Sequence, residues 1–315
     1  MIHTLFRKFQ QWPFDKQLVL IFPLLIIFIA LLSGSLWTFQ VTNNRAALFC
    51  IGLFAVLVAG FNFLLRKCNL IPRAEWFIRE FWPVLAILIS YLLMRVLRLE
   101  LAIEYFSIPQ RDSLMIEIDN QLFGQTLPLY IQHWISPTFT LLMETAYLHF
   151  YYLLPIGSLL YFFWQQQAER FMQMRKAIIY TQVGGYCCYF LMPVKGPIDF
   201  ISEQFVVPLN AGHEVVYAAV NSFRFAYDCF PSLHTALPWA ALFISWSWHS
   251  SLMRTIMLGM TLSITLSTMY LRYHYGADVI AGFCWAFCVA WVIKQHNVAL
   301  PYKNDLSDYS PIGKP

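Results

Sequence analysis

This 315-residue chain predicts an all-α, polytopic membrane helix bundle, on three observations. It is 59% hydrophobic and only 12% charged, too little charge to cover the surface of a soluble domain. Its apolar residues gather into about eight runs, each near the 19 or so residues that cross a bilayer. Aromatics reach 18%, including 11 Trp and 17 Tyr, the side chains that favour the two membrane–water interfaces. The net charge of +4 is spread over short loops and does not point to nucleic acid.

The first run, 18–39, follows basic residues. It is full-length and lacks a small-residue cleavage site, so a retained helix is expected rather than a signal peptide. The other runs are 46–65, 81–98, 141–164, 177–192, 233–249, 252–270 and 277–294. Polar stretches divide them: Arg66 to Glu80, Gln165 to Lys176, and a longer loop from Pro193 to Phe230 containing Pro, Gly and Asn. Segment 100–137 differs. There Arg111, Asp112, Glu117 and Asp119 mix with Leu114, Met115, Ile116, Ile118, Leu122 and Phe123. That amphipathic pattern predicts helices lying on the membrane surface, broken at Gly124 and Pro128. The seven cysteines are an odd number, lie mostly inside apolar runs and form no C-x-x-C pair. They read as small buried apolar residues rather than a disulfide framework or a zinc site.

Basic residues set the orientation. With the N-terminus cytoplasmic, only Arg45, Arg95, Arg98, Arg111, Lys195, Arg224 and Arg272 of the 21 Lys and Arg fall on the outer side. That bias fits the positive-inside rule, and an even number of spans returns the C-terminus to the cytoplasm. Loops 193–232 and 271–276 then both lie outside. His234, at the start of one run, and His274, before the last, come to the same depth.

Ionisable groups at a membrane boundary are costly and usually functional. His274 and Asp278 are four residues apart. At the start of a helix they share a face, and the carboxylate can hold the imidazole in one tautomer. Phosphoryl transfer through histidine needs such an imidazole, an acid for the departing oxygen, and donors for the phosphate oxygens. His274, Asp278 and His234 fit the first two needs. Ser232 precedes a helix N-terminus, an anion site. Lys195, Arg224 and Arg272 are outer-side cations that suit phosphate. Tyr270 and Tyr275 fit either a headgroup contact or the interfacial belt.

Pro231-Ser232-Leu233-His234 resembles the P-S-G-H motif of the phosphatidic acid phosphatase type 2 superfamily, and Ser267 to Asp278 resembles its S-R-x5-H-x3-D motif. The resemblance implies a six-helix core with its motifs at one membrane face. It makes His274 the nucleophile that forms a phosphohistidine, Asp278 its orienting partner and His234 the general acid, with no metal or other cofactor. Three features depart from the superfamily pattern. Leu233 replaces the glycine, Thr268 stands at the arginine, and Met192-Pro193-Val194-Lys195-Gly196-Pro197 takes the place of a K-x6-R-P motif. These features, with Tyr273-His274-Tyr275-Gly276-Ala277-Asp278 and Ile118-Asp119 before Leu122-Phe123-Gly124, resemble the inositol phosphorylceramide synthase branch. That branch works in phospholipid and sphingolipid metabolism and contains headgroup transferases as well as phosphatases.

The expected organisation is therefore two N-terminal transmembrane helices in 1–80, the phosphatase or phosphotransferase core in 81–294 with 100–137 as an outer segment, and a cytoplasmic tail in 295–315. The expected substrate is a lipid phosphate ester, with water or a lipid alcohol as acceptor. Candidate substrate-binding residues are Ser232, Lys195, Arg272 and Tyr270. Short loops suggest a bacterial inner membrane, with the site on the periplasmic side. Two rivals stand beside this reading. A transporter or channel would place its ionisable groups near the midplane and show mirrored halves, which the sequence lacks. A metal-dependent hydrolase would use both histidines and Asp278 as ligands, yet H-x3-D is not the H-E-x-x-H of a zinc protease.

Overall fold

The computed structural model describes residues 9–38, 70–209, 213–222 and 224–297, with scattered positions between 49 and 68. The expected span 46–65 and the tail beyond 297 lie outside the described residues. The described chain is helical: α1 Phe14–Leu32, α2 Ile71–Val96, α3 Leu99–Tyr105, α4 Asp112–Phe123 and α5 Leu127–Ile131. Next come α6 Pro137–Thr145, a π-turn Ala146–Phe150 and α7 Tyr151–Trp164, which form one continuous rod. The rest are α8 Ala168–Leu191, α9 His213–Asn221, α10 Leu233–Ser245, α11 Ser251–Tyr270 and α12 Gly276–Asn297. No strand occurs among the described residues; Val194 and Asp228 form an isolated parallel bridge.

Among the described residues, five helical rods are long and apolar enough to cross a membrane: α1, α2, α6–α7, α11 and α12. They coincide with five of the expected runs. The runs at 177–192 and 233–249 are helical too, within α8 and α10. Two boundaries move for one physical reason. The polar stretches before 81 and 177 read as loops, but α2 starts at Ile71 and α8 at Ala168. Pro72 opens α2, where its missing N–H costs nothing. Ala74, Phe77 and Phe81 then bury one stripe, as Phe171, Met174 and Ile178 do in α8. A charged stretch can be the end of a helix that continues beyond the bilayer. The boundary at residue 80 accordingly falls inside α2. Helix α1 shares the main core as well, with Val19, Phe22 and Ile26 packed in one cluster with Phe77, Phe81 and Ile178.

Helix α10 is the central element, packed against α7, α8, α11 and α12. Its Ala236, Ala240 and Ala241 are fully enclosed, and such small residues let helices approach closely in a membrane. Gly282 of α12 completes the approach: a Cβ there would stand 2.4 Å from the Ser232 carbonyl oxygen. This contact seats the start of α10 against α12, where the Ser232 N–H also donates to the Asp278 carbonyl at 3.1 Å. Gly282→Ala is expected to cost about 1–3 kcal/mol and to lower activity, because neither backbone can move away freely. Thermal unfolding in detergent and a phosphate-release assay check this.

Segment 100–137 is helical as expected, but two of its carboxylates point inward, while Glu104 and Glu117 are exposed. Asp112 and Asp119 are fully buried with Met115, whereas Leu114, Leu122 and Phe123 are exposed. Asp112 accepts from the Lys195 and Gly196 N–H groups at 3.0 Å each and from the Tyr275 hydroxyl at 3.1 Å. Asp119 accepts from Gly276 at 3.1 Å and Ala277 at 2.7 Å, the first N–H groups of α12, and from Leu127 at 3.0 Å. Orphan donors at a helix N-terminus attract a carboxylate, and here the carboxylate comes from another helix. Asp112 and Asp119 of α4 thus face the interior with Met115, while Ser113, Glu117, Asn120 and Gln121 stay exposed.

Candidate active site

The site forms where the N-termini of α10 and α12 meet the C-terminus of α11. Ser232 caps α10, its Oγ accepting from the Thr235 N–H at 3.3 Å and the Thr235 hydroxyl at 3.1 Å. Helix α11 ends at Tyr270, and Arg272 takes a left-handed φ of 67°. The chain reverses there, and the Tyr273 and His274 N–H groups donate back to the Thr268 carbonyl at 3.0 and 3.1 Å. That turn delivers His274 beside the first turn of α12. Gly196 supports it with φ of 98°, passing so close that a Cβ would lie 2.4 Å from the Tyr273 carbonyl oxygen.

His274 and Asp278 are both enclosed, with 3.3 Å from Nδ1 to Oδ2. Nδ1 also lies 3.1 Å from the Cys229 carbonyl oxygen. Two acceptors at Nδ1 favour a proton there, which leaves Nε2 with its lone pair. Asp278 Oδ2 accepts further bonds from the Tyr275 N–H at 3.2 Å and the Cys229 thiol at 2.5 Å, while its Oδ1 is buried without a partner.

His234 lies across from this pair, its ring centroid 5.8 Å from that of His274. It is stacked between two tyrosines, Tyr147 at 4.1 Å and Tyr151 at 4.2 Å between centroids. Both belong to the π-turn region, the kind of helix irregularity that recurs at functional sites. Tyr273 stacks on the far side of Tyr147 at 4.6 Å. One edge of His234 faces a cavity of about 110 Å³, lined by Tyr91, Tyr147, Tyr151, Tyr186, Tyr189, Arg224 and Asp228 among others.

The cation in that cavity is Arg224. It pairs with Asp228 at 3.0 Å and Asp199 at 3.1 Å and donates to the Lys195 carbonyl at 3.0 Å. Burial opposes its charge, but Asp228 and Asp199 outweigh burial and hold the guanidinium protonated beyond its ordinary range. Asp228 is fixed in turn by the Tyr91 hydroxyl at 2.6 Å.

The other predicted residues sit elsewhere. The Lys195 ammonium lies over the Tyr227 ring at 5.6 Å. The Arg272 guanidinium stacks on Phe205 at 4.2 Å and donates to the Val207 carbonyl, pinning loop 193–232 to the turn before His274. Burial lowers its pKa to about 10. The Tyr270 hydroxyl is enclosed, accepting from the Ser136 N–H at 3.1 Å and meeting the Thr140 hydroxyl at 3.0 Å. Three of the predicted site residues, His234, His274 and Asp278, are thus brought together with Ser232 beneath them. Lys195, Arg272 and Tyr270 brace the surrounding loops.

Sequence reasoning missed Cys229 and the two tyrosines around His234, and ranked Arg224 no higher than its neighbours. The signal for Arg224 was weak: Asp228 four residues on, in a stretch too irregular to be read as a helix. Cys229, His274 and Asp278 have ligand-type atoms all within 4.8 Å of one another, so they are the residues that would hold a metal ion. Hydrogen bonds already join all three.

A family model of the PAP2 superfamily matches residues 114–292, from within α4 almost to the end of α12, including all three clustered residues. No solved structure matches the chain.

Proposed function

The chain belongs to the PAP2 superfamily, whose members are phosphatases or phosphotransferases, and from that premise we propose that it transfers phosphoryl groups from a lipid phosphate ester through a phosphohistidine on His274. The observation that carries this reading is the opposed pair of imidazoles, with His274 Nδ1 committed to Asp278 and the Cys229 carbonyl.

His274 Nε2 attacks phosphorus and forms the N–P bond as the P–O bond to the departing alcohol breaks. The Nδ1 proton stays shared with Asp278, which stabilises the charged ring. His234 gives its proton to the leaving oxygen. It then accepts the proton of an incoming water or alcohol, whose oxygen attacks phosphorus and releases His274. Arg224 is the natural partner for the phosphate oxygens, because it is a held cation in the cavity that His234 faces. The charge bias of the loops favours a site on the face opposite the N-terminus, the outer or periplasmic side. The motif pattern favours the inositol phosphorylceramide synthase-like branch, which contains headgroup transferases as well as phosphatases, so the acceptor is a lipid hydroxyl or water.

Access from the bilayer is supported by two residues of the cavity wall. Leu148 and Tyr152 line it yet are 41% and 40% exposed, on a rod long and apolar enough to cross a membrane. A lipid tail can therefore remain in the membrane while its phosphate enters beside His234. Leu148→Trp is expected to raise KM for a long-chain lipid phosphate roughly tenfold while leaving a short-chain ester within about twofold. Equal effects on both substrates would refute lateral entry.

The direct test uses a lipid ester labelled with radioactive phosphate. A labelled, acid-labile protein intermediate is expected in the wild type and none in His274→Ala. Turnover retained in that variant removes the assigned nucleophile. Solute flux through proteoliposomes without phosphate release would instead favour the transporter reading.

A further inference from the structure

We infer that the Cys229 thiol is a positioning group, a hydrogen-bond donor that fixes Asp278 against His274. The inference takes its kinetic consequences from the phosphohistidine reading. Its geometry stands independently of that reading.

Cys229 is 1% exposed, and its Sγ is 2.5 Å from Asp278 Oδ2. The alternative acceptor, the Tyr273 carbonyl oxygen, is 3.4 Å away and uncharged. A donor shared between the two goes to the carboxylate, where the bond is charge-assisted. Oδ2 thereby takes three donors while Oδ1 takes none. Such one-sided loading fixes the rotation of the carboxylate and keeps Oδ2 turned to Nδ1.

The backbone of the same residue completes the arrangement. Its carbonyl receives Nδ1 at 3.1 Å, and its N–H donates to the Val194 carbonyl at 3.3 Å, next to the bridge at Asp228. One residue therefore touches both members of the His–Asp pair and is itself held by loop 193–232. Burial, reinforced by Asp278, pushes the thiol well above its ordinary range. It remains S–H, a donor, and is no rival nucleophile to His274.

The first test is the infrared S–H stretch, which falls in a window clear of other protein bands and needs no substrate. The wild-type minus Cys229→Ser difference spectrum is expected to show one strongly lowered S–H frequency, and Asp278→Asn is expected to raise it. The second test is kinetic. In Cys229→Ala, kcat is expected to fall about tenfold with KM within twofold. Cys229→Ser, which keeps a donor, should return to within about threefold of wild type. A free-thiol frequency in the difference spectrum overturns the proposal. So does a Cys229→Ala enzyme with unaltered kcat, or a serine variant as slow as the alanine one. A wild type that releases no phosphate sinks the functional reading, and the infrared result still decides this one.

Discussion

Replacing His274 by alanine is expected to lower phosphate release by at least about 10⁴-fold, the scale on which covalent catalysis collapses when its nucleophile is removed. The protein should still insert and fold. The alanine removes the bonds to Asp278 and to the Cys229 carbonyl, but Asp278 keeps the Tyr275 N–H and the Cys229 thiol. A thermal unfolding curve in detergent close to wild type therefore separates loss of chemistry from loss of structure. The size of the loss also discriminates between roles. If His274 only oriented substrate, the variant would lose affinity and keep part of its kcat. If it carries the phosphoryl group, kcat falls and the labelled intermediate disappears. Residual turnover within about a hundredfold of wild type would place the nucleophile elsewhere.

The pairing of His274 with Asp278 was legible because the two are close in sequence. Asp278 lies in the first turn of α12 and His274 just before it, and the turn closed on the Thr268 carbonyl sets their final geometry. The opposition of His234 and His274 needed one further step, the counting of basic residues that put both run ends at one depth. The features that stayed hidden depend on tertiary detail. Arg224, Lys195 and Arg272 look alike as outer-side cations. Only the folding of loop 193–232, which stacks Arg272 on Phe205 and turns Lys195 over Tyr227, leaves Arg224 in the cavity with His234. Cys229 read as one apolar filler among seven, and nothing in its neighbours along the chain signals a carboxylate 49 residues later. The tyrosines around His234 were lost in a rod where one residue in a few is aromatic. The amphipathic pattern of α4 was seen correctly as a pattern. Its polar stripe was assigned to water because carboxylates usually belong there, and here Asp112 and Asp119 serve loop and helix N–H groups that water cannot reach.

Arg175 shows the same limit at the other end of the bundle and supports the largest expected effect on stability. By sequence it is a loop charge. In the structure it is the bulkiest enclosed side chain, 1% exposed, two turns into α8. Its Nε donates to Asp15 Oδ2 of α1 at 2.7 Å, and its Nη1 donates to the Glu80 carboxylate and, at 3.3 Å, to the Glu80 carbonyl of α2. Lys16 adds a second contact to Glu80 at 2.8 Å, and Arg79 a third at 3.1 Å. Three helices thus share one neutralised cluster. The cluster matters less for its net attraction than for the damage done when a member is lost. Desolvation nearly cancels the Coulomb energy of a buried pair, whereas removing one partner strands a charge in the interior. Arg175→Ala leaves Asp15 with no cation bonded to it and Glu80 with only Lys16 and Arg79, so a loss of about 3–5 kcal/mol is expected. Lys16→Ala should cost much less, because Arg175 still bonds both acids and Arg79 still pairs with Glu80. Unfolding curves in detergent at low and high salt provide the measurement, and the difference should persist at high salt because the cluster is shielded from ions. An Arg175→Ala protein within about 1 kcal/mol of wild type would mean that α1 is held to α2 and α8 by apolar packing alone, and that the cluster only sets the register of helices already bound.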